Sequence, residues 1–477
     1  MNNLTFNGIK KPWLRLLRGR TKPPFSALKR NLLYVPGMPG AYLQSTDVEP
    51  LVINQPVGFG TLNDEHALQL KDELADWLVT DEAVELQFDN EPGRTYFAVV
   101  NNTMNDFEKM ATLRRGTIQF LCFDPYGYSQ ELTATFPSDA VTITNNGTAE
   151  ADPIFQFIPN KSVTHIDIAN QDAEYMRIGR PSEVDDTLFE PETLILNDSM
   201  GTTTGWGQAS TVDNGSVTGE MGADGDGFYP STFGTVVNGG RWQGPSLKRS
   251  LSAGLQDFRM DAHVKLENIG YDTGMVEIYL LDSGNNTVAK IGIEDRWNAI
   301  DRVFAKAQLG GVDGPFIASE YADRDDYWNN YDGILRIQRE GNRWSVYFAV
   351  LKDGKHINTL TTVPVYVDVD SAYMAPITQV QVAMRVYPDT EAAPMKVRDI
   401  KIWRINQEPE GVPYIARAND VITFDHKEEN LLINGEPRID LKDFGGTYFK
   451  LKKGDNQLFV FPQNTFETSL RYRERYK

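Results

Sequence analysis

Apolar and polar residues alternate with a period of two along most of this chain, and this pattern constrains its fold more than any other feature. Residues 84–88 and 96–100 alternate on either side of the turn-forming residues 90–93, which is typical of a β-hairpin. Residues 118–122 alternate in the same way and lead into a second turn sequence at 124–127. Strands of this kind must pair and bury one face, so the sequence predicts a mostly β protein.

One segment departs from the alternation and predicts a helix. Asn63 is a favoured N-cap residue, and apolar residues recur at helical spacing from Ala67 to Leu78. Charged residues fill most of the other positions, which gives the segment one apolar face and one polar face. We therefore expect one amphipathic helix in this region.

The single cysteine, Cys122, continues the inward row of the strand at 118–122. One cysteine excludes an internal disulfide and a cysteine-rich metal centre, so the chain needs no oxidising compartment and we expect its synthesis in a cytoplasm. No histidine lies nearby in the sequence to activate the thiol. A buried structural residue is therefore favoured over a nucleophile.

A change of composition divides the 477 residues, which suffice for several domains of about 150 residues each. Residues 191–406 hold six of the eight tryptophans, and their many short strands predict a sandwich or jelly roll. This segment begins in a Gly, Thr, Asn and Ser-rich stretch and ends at the linker-like residues 407–413. We predict three domains, the last inserted into a loop of the second: 1–135, then 136–190 with 407–477, and 191–406.

The net charge of -19 limits the partners of the chain. Polyanions would be repelled over most of the surface, so we predict no nucleic-acid binding. The longest apolar run, residues 346–351, is six residues, whereas a membrane-spanning helix needs about 20, so we predict no membrane insertion.

The first 46 residues are basic, in contrast to the chain as a whole, because they contain eight bases and no acid. That segment is either a basic face for an acidic partner or a solvated surface.

Signatures of common enzymes are missing, and a jelly-roll glycosidase is the remaining catalytic hypothesis. Neither a phosphate-binding Gly-x-x-x-x-Gly-Lys loop nor a zinc-binding His-Glu-x-x-His motif occurs. Glycosidases need two carboxylates roughly 5–10 Å apart, which one large family places on one strand as Glu-x-Asp-x-x-Glu. Residues 150–152 and 183–185 begin this pattern, but Phe155 and Leu188 occupy its third position.

Acidic and aromatic residues interleave between 320 and 331, which predicts a carbohydrate site. Carboxylates accept hydrogen bonds from sugar hydroxyls, and an aromatic ring stacks on the apolar face of a pyranose. Two further tryptophans, each beside an arginine, are additional stacking candidates. The predicted carbohydrate-binding residues are Trp242, Trp297, Glu320, Asp323, Asp325, Asp326, Tyr327, Trp328 and Tyr331.

Two alternatives remain for this acidic loop. It could be a solvated turn whose aromatic residues pack beneath it, or a calcium site, because oxygen-rich loops suit that ion. Residues 224–227, Asp-Gly-Asp-Gly, form a second calcium candidate without the remaining loop ligands. No other cofactor is predicted. Trp344 and Trp403 lie in strand patterns and are predicted to belong to the core.

Several stretches outside residues 191–406 share their order and spacing with one known family. They are Pro-Pro-Phe at 23–25 with Val-Pro-Gly-Met-Pro-Gly-Ala-Tyr-Leu at 35–43, Gly-Thr-Ile-Gln-Phe-Leu-Cys-Phe-Asp-Pro-Tyr at 116–126, Asn-Gly-Thr-Ala-Glu-Ala at 146–151, Tyr-Met-Arg-Ile-Gly at 175–179, and Tyr-Phe-Lys-Leu-Lys-Lys-Gly-Asp-Asn at 448–456. Together they resemble the distal tail proteins of long-tailed phages that infect Gram-positive bacteria.

This resemblance implies a structural protein of the virion, made in the cytoplasm of the bacterial host. It implies an N-terminal belt domain, a β-sandwich or barrel with one helix and a hairpin, that assembles into a hexameric ring. It also implies a galectin-like β-sandwich pointing outward. The ring would join the major tail tube protein to the tail-tip protein at the distal end of the tail.

Family members with an insertion in the outer domain resemble adhesion variants. Their inserted jelly roll, of the concanavalin and carbohydrate-binding-module type, would bind polysaccharide of the host wall or surface. We therefore interpret the chain as a non-enzymatic tail hub with a saccharide-binding insert. A glycan-cleaving insert and a purely structural insert that contacts neighbouring tail proteins remain as alternatives.

Overall fold

The structure is a computed structural model of the chain. It describes residues 3–101, 107–110, 112–235, 241–268, 270–324, 326–362, 365–408 and 410–477. Strands make up most of the ordered backbone, and α1 (Asp64–Leu78) is the only α-helix in these ranges. The mostly β fold class is confirmed. None of the helical structure within these ranges is long and apolar enough to cross a membrane.

The strands of the first part precede and follow α1. In chain order they are β1 (Leu4–Phe6), β2 (Arg15–Leu16), β3 (Leu28–Leu33), β4 (Tyr42–Val48), β5 (Leu51–Gly60), β6 (Val84–Phe88), β7 (Thr95–Val100), β8 (Glu108–Met110), β9 (Leu113–Cys122) and β10 (Gly127–Tyr128). Six of them form one sheet in the order β1-β6-β7-β9-β5-β2, and β8 and β10 pair at its side. β6 and β7 form the hairpin predicted across residues 84–100.

α1 lies against the core of this first sheet. The side chain of Asn63 accepts a hydrogen bond from the backbone N–H of His66, which confirms the predicted N-cap. The apolar face of the helix is buried, and the indole of Trp77 donates to the Phe6 carbonyl at 3.0 Å. Cys122 is fully buried in the same core, and burial raises the pKa of its thiol to about 12. The predicted structural role of this cysteine is confirmed.

The remaining strands fall before, within and after the tryptophan-rich segment. The first group is β11 (Leu132–Thr135), β12 (Ala140–Asn145), β13 (Ile154–Pro159), β14 (His165–Asn170) and β15 (Tyr175–Gly179). The second group is β16 (Leu188–Phe189), β17 (Glu192–Asp198), β18 (Gly207–Gln208), β19 (Gly215–Val217), β20 (Glu220–Asp224), β21 (Gly227–Thr232), β22 (Trp242–Gly244), β23 (Ser246–Leu255), β24 (Phe258–Leu266), β25 (Asp272–Leu281), β26 (Thr287–Asp295), β27 (Phe304–Leu309), β28 (Phe316–Tyr321), β29 (Tyr331–Glu340), β30 (Arg343–Lys352), β31 (Lys355–Thr361), β32 (Tyr366–Val367), β33 (Ile377–Arg385), β34 (Glu391–Ala392), β35 (Met395–Ile405) and β36 (Val412–Pro413). The third group is β37 (Ile422–Asp425), β38 (Asn430–Ile433), β39 (Glu436–Pro437), β40 (Gly454–Phe461), β41 (Phe466–Tyr472) and β42 (Arg475–Tyr476), with a 3-10 turn at Ile439–Leu441.

Strands of the first and third groups interleave in one sandwich. One sheet has the order β11-β41-β13-β37-β38-β39, and the other has the order β12-β40-β14-β15. Phe155, Phe157 and Leu470 are fully buried between them. Strands of both groups contribute to each of the two sheets, so residues 136–190 and 407–477 fold together. The domain boundaries themselves stay a prediction.

The second group forms a larger sandwich, here called the insert sandwich. One sheet contains the path β20-β21-β35-β24-β29-β30-β31, and the other contains β18-β23-β33-β25-β26-β27-β28. Alternate side chains of β24 are buried between the sheets, as the period-two pattern predicts. Trp344 and Trp403 are buried, so their predicted core role is confirmed. Glu192 pairs with Ile405, so the chain enters and leaves this sandwich on adjacent strands.

The two sandwiches meet where β29 and the tip of the β30–β31 hairpin contact the β38–β39 hairpin. Arg336 of β29 forms paired hydrogen bonds with Asp261 at 2.8 and 2.9 Å and with Glu436 of the β38–β39 hairpin at 2.6 and 2.8 Å. The N–H of His356 donates to the Gly435 carbonyl. Gly435 has φ of +83°, and a Cβ there would lie 1.9 Å from the Gly354 oxygen. Only glycine therefore allows the tips to approach this closely.

We expect Glu436→Gln to destabilise the contact between the sandwiches by about 1.5–3 kcal/mol, the contribution of hydrogen bonds to a charged group. Burial opposes ionisation of Glu436, but the hydrogen bonds and charge of Arg336 outweigh it and hold the pKa of the carboxyl below its usual value. Its stabilising effect is therefore complete above the unfolded-state pKa and is lost as pH falls through the folded-state pKa. Thermal unfolding between pH 3 and 7 measures both effects, and Glu428→Gln, at an exposed pair, is the control. Equal acid dependence in wild type and Glu436→Gln would contradict this prediction.

Candidate functional site

The acidic loop after β28 turns its largest aromatic side chains inward. Trp328 is 2% exposed, lies beside Phe348, and donates from its indole N–H to the Asn358 carbonyl at 2.9 Å. Tyr331 is fully buried, and its hydroxyl contacts the carbonyls of Ile334 and Ala349. Neither ring has a face open to a sugar. The prediction that these two residues bind carbohydrate is therefore corrected, and both belong to the core.

The remaining predicted residues of the loop do not converge on one point. Glu320 pairs in register with Ala305, whose side chain is buried between the sheets, and so lies on the side of β28 away from the concave face described below. Asp323 and Asp326 are exposed, and Tyr327 is half-buried beneath Arg324. The predicted residue Asp325 lies outside the described residues.

Neither calcium candidate has a ligand set in the part of the chain that the structure describes. No group of three or more His, Cys, Asp or Glu side chains there is arranged to hold a metal ion. The carboxylates of Asp224 and Asp226 instead form ion pairs with Lys396, and that of Asp226 also with Arg398.

A candidate site is a groove on the concave face of the sheet that contains β25, β26, β27 and β33. It encloses a cavity of about 350 Å³. Strand register brings its side chains together in transverse rows. One row runs Gln381, Tyr279, Lys290, Gln308 and Phe316, the next runs Ala383, Glu277, Gly292, Lys306 and Ser319, and the third runs Arg385, Met275, Glu294, Phe304 and Tyr321.

Glu277 is the centre of the groove floor and is 1% exposed. Its carboxylate contacts the guanidinium of Arg385, accepts from the Tyr279 hydroxyl at 2.6 Å, and lies 2.8 Å from the Lys306 ammonium. Gly292 separates Glu277 from Lys306 in the row, and a Cβ there would lie 2.9 Å from the Glu277 side chain. The missing side chain of this glycine therefore leaves room for the ion pair across β26.

A second carboxylate shares the same ammonium. Glu294 lies 2.6 Å from Lys306 and 2.7 Å from the guanidinium of Arg296. Arg296 in turn covers the ring of Phe304, with 3.8 Å from its guanidinium carbon to the ring centre. Burial lowers the pKa of Lys306, and the charge and hydrogen bond of Glu294 oppose that shift. The floor of the groove is thus a closed network of opposite charges.

A crossing segment, residues 211–215, lies over one end of the groove. The Thr211 carbonyl accepts from Gln381 at 2.8 Å. The Asp213 carbonyl accepts from Arg385 at 2.7 Å, and the Asp213 carboxylate pairs with Lys290 at 2.7 Å. Burial lowers the pKa of Arg385 to about 10, so the guanidinium stays charged at neutral pH. The crossing segment is therefore fixed to the sheet by its own polar groups.

Aromatic rings stand at both ends of the groove. Trp242 lines the cavity at the closed end and packs edge-on against Tyr387, with ring centres 5.8 Å apart. Phe316 lines the open end on the edge strand β28 and is 53% exposed. Trp297 is also 53% exposed but does not line the cavity. Of the predicted site residues that the structure describes, only Trp242 lies in this groove.

β25 has the residue spacing of a two-carboxylate glycosidase strand but different residues. Glu277, Tyr279 and Asp282 occupy the three positions of the Glu-x-Asp-x-x-Glu pattern. Asp282 accepts hydrogen bonds from the backbone N–H groups of Gly284 and Asn286, both at 2.8 Å, in the following turn. Of the three residues, only Glu277 therefore directs a carboxylate into the groove.

The carbohydrate-binding residues predicted from the sequence do not include four residues of the groove, Glu277, Glu294, Lys306 and Arg385. A signal was present, since these charged residues occur within or at the end of strands that are otherwise rich in apolar and small residues. Charged residues are rarely fully buried unless they are paired, so such strands indicate partners on neighbouring strands. The identity of those partners requires the strand register.

Two sequence families match the ends of the chain. Residues 10–122 match the family described as phage tail protein RIFT-related domain. Residues 385–476 match the family described as siphovirus-type tail component, C-terminal domain. The second match begins at the last residue of β33 and includes β35 of the insert sandwich. No curated protein matches the chain in sequence.

Three solved structures are similar to parts of the chain. The SPP1 Dit protein, described as a hub of the adsorption apparatus in phages infecting Gram-positive bacteria, is 16% identical over 38% of this chain and 75% of its own, with a TM-score of 0.34. The CBM2 module of the evolved Dit of Lactobacillus casei BL23 phage J-1 is 17% identical over 46% of this chain and 98% of its own, with a TM-score of 0.39. An endo-1,3-β-glucanase of Streptomyces sioyaensis is 13% identical over 48% of this chain and 100% of its own, with a TM-score of 0.32. Similarity at this level assigns no activity to the chain.

Proposed function

We propose that this chain, a siphophage tail protein of the distal tail protein family, is the hub between tail tube and tail tip and binds host saccharide through its insert sandwich. The matches of both ends of the chain to phage tail families support the hub. They also place the protein in the virion tail. Its neighbours would be the major tail tube protein on one side and the tail-tip protein on the other.

The groove is the observation that carries the saccharide role. Its floor offers charged donors and acceptors, and its ends offer the rings of Trp242 and Phe316. Sugars are recognised by such a combination of hydrogen bonds to hydroxyls and apolar contact with the ring face. A cavity of about 350 Å³ lies within the usual range for small-ligand sites, roughly 300–1,000 Å³.

The charge network favours binding over cleavage. A glycosidase needs one protonated carboxylic acid and one carboxylate that is free to act as nucleophile or base. The Glu277 carboxylate contacts Arg385, Lys306 and the Tyr279 hydroxyl, so it is not free to act as nucleophile or base. Both carboxylate oxygens of Glu294 contact cations. We therefore propose that the insert sandwich is a binding module without hydrolytic activity.

An exposed apolar hairpin supports assembly into a hexameric ring. β3 and β4 pair only with each other, and all seven residues of β4 are exposed. Monomeric soluble proteins rarely expose apolar patches of this kind, and a free two-stranded hairpin is marginally stable. The hairpin would be stabilised by packing on the neighbouring subunit of the ring. The basic residues 10–30 lead into it and could complement acidic surface of that neighbour.

We expect the fluorescently labelled full-length chain to bind intact Gram-positive cells and their purified wall polysaccharides saturably, without release of reducing ends in the same tubes. Trp242→Ala should weaken binding more than about 30-fold per site, the effect of losing an aromatic anchor worth 2 kcal/mol or more. Phe444→Ala, at a fully exposed ring outside the insert sandwich, is the matched control. Release of reducing ends would assign the insert to the glycosidases, and no binding by the folded chain across the panel would favour a structural insert.

A further inference from the structure

The groove of the insert sandwich is open at one end only. At the β33 end, β19 pairs with β22, and the crossing segment 211–215 lies on the row that contains Gln381, Tyr279 and Lys290. Val212 packs on Tyr279, Leu281 and Ala383, all of which are buried. Polar and apolar contacts together therefore seal this part of the concave face.

The seal is integral to the sandwich. A Cβ on Gly215 would lie 2.3 Å from the Trp242 carbonyl oxygen and 2.6 Å from the Arg385 guanidinium. The backbone at Gly215 therefore packs too closely on both neighbours to accept a side chain. The Asp213 backbone N–H and carbonyl bond Tyr279 and Arg385 respectively. Opening this end would break a buried ion pair and several hydrogen bonds at once, which costs far more than a sugar contact provides.

The opposite end leads over an edge strand. β28 is the last strand of its sheet, and Phe316 and Ser319 on it are exposed. Phe316 and Ser319 line the cavity at this end, whereas residues 211–215 cover the other end. A ligand lying along the groove would therefore start at Trp242 and leave past Phe316.

The charges of the groove also limit the ligand. Four cationic side chains, those of Lys290, Lys306, Arg296 and Arg385, share the three carboxylates of Asp213, Glu277 and Glu294, which leaves one positive charge in excess. A single excess charge produces only a weak net field, so a polyanion such as a phosphodiester polymer gains little general attraction. The hydroxyls of an uncharged sugar can still bond to the outer atoms of the network.

From the sealed end and the paired charges we infer that the groove binds the terminal units of a neutral polysaccharide chain and excludes the interior of a long chain. This inference rests on the saccharide-binding role proposed above. The terminal sugar would stack on Trp242, and the following units would pass over Phe316 into solvent.

The test uses the full-length chain and a neutral wall polysaccharide that it binds in the cell assay. The polysaccharide is used intact and after partial acid hydrolysis to chains about tenfold shorter, and both preparations compete with labelled cells. At equal mass the shortened preparation has about ten times as many ends, so it should compete about tenfold better. Equal or weaker competition at equal mass would overturn end recognition and leave the saccharide-binding role intact.

Two variants locate the ligand in the groove independently of chain length. Trp242→Ala should abolish binding of fragments of every length, whereas Phe316→Ala should weaken longer fragments and spare the shortest. Unchanged thermal unfolding shows that both variants fold. An equal loss for all lengths in both variants would overturn the direction assigned to the chain. Stronger binding to an anionic phosphodiester wall polymer than to any neutral one would overturn the ligand class, and absence of any binding by wild type would overturn the proposed function as well.

Discussion

Arg385→Met is expected to lower the free energy of unfolding of the insert sandwich by about 3–5 kcal/mol, the cost of removing one partner from a buried ion pair. Arg385 and Glu277 are each 1% exposed, so water cannot replace the lost guanidinium. The variant would also leave the Asp213 carbonyl without its donor and release the crossing segment 211–215. Both effects act on the closed end of the groove, so binding should fall together with stability.

Tryptophan fluorescence in a denaturant titration measures this change, because six of the eight tryptophans lie between 191 and 406. Arg249→Met is the matched control. Arg249 of β23 pairs with Asp198 of β17, a strand of the facing sheet, and is 37% exposed, so its loss should cost less than that of Arg385.

The double variant Arg385→Met with Glu277→Met separates stability from binding. Replacing both members of a buried pair by apolar residues is often neutral or stabilising, so the unfolding free energy should recover in part, although the Asp213 carbonyl still lacks its donor. Saccharide binding should not recover, because the polar floor of the groove is lost. A double variant that restores binding along with stability would show that the ion pair has only a structural role.

We expect the double variant Leu32→Asp with Leu43→Asp to be a folded single chain that cannot form the proposed ring. These two residues pair across the β3–β4 hairpin and are 44% and 58% exposed. Two buried charges without partners would cost several kcal/mol at each subunit contact, which is enough to prevent assembly. Light scattering should then report one chain mass for the variant and six for wild type.

The hairpin variant should also lower the apparent affinity for cells by a factor of about 100 or more, because one site replaces the six linked sites of the proposed ring. Its affinity for a soluble fragment should stay unchanged. Gln44→Asp changes an exposed polar position of the same hairpin and is the control for charge alone. A wild-type chain that is monomeric at all concentrations, or a variant that still forms rings, would contradict the proposed role of the hairpin.

Features that depend on neighbouring residues in the chain were predictable from the sequence. Alternation identified the hairpin of β6 and β7, and the side chain of Asn63 caps α1 as its position indicates. Trp344 was assigned to the core because it lies in an alternating strand, and it is fully buried. In each case the local pattern already determines which face is apolar, and burial of that face follows from the hydrophobic effect.

The acidic loop shows where such patterns fail. Trp328 and Tyr331 stand among carboxylates in the sequence, which suggested an exposed aromatic surface. In the structure both rings lie under the loop, where Trp328 contacts Phe348 and the Tyr331 hydroxyl donates to the Ala349 carbonyl. A loop has no regular repeat from which the direction of a side chain can be predicted. Composition alone therefore could not distinguish exposed rings from buried ones.

The sequence by itself determined a mostly β chain with one helix, a buried thiol and a tryptophan-rich segment set apart from its surroundings, because each depends on residues close together in the chain. Only the tertiary structure decided the groove. Its floor joins Glu277 to Arg385 across 108 residues, and its cover joins Asp213 to Arg385 across 172. Such contacts exist only once strand register is set, since a shift of one residue would turn every one of these side chains to the other face of the sheet.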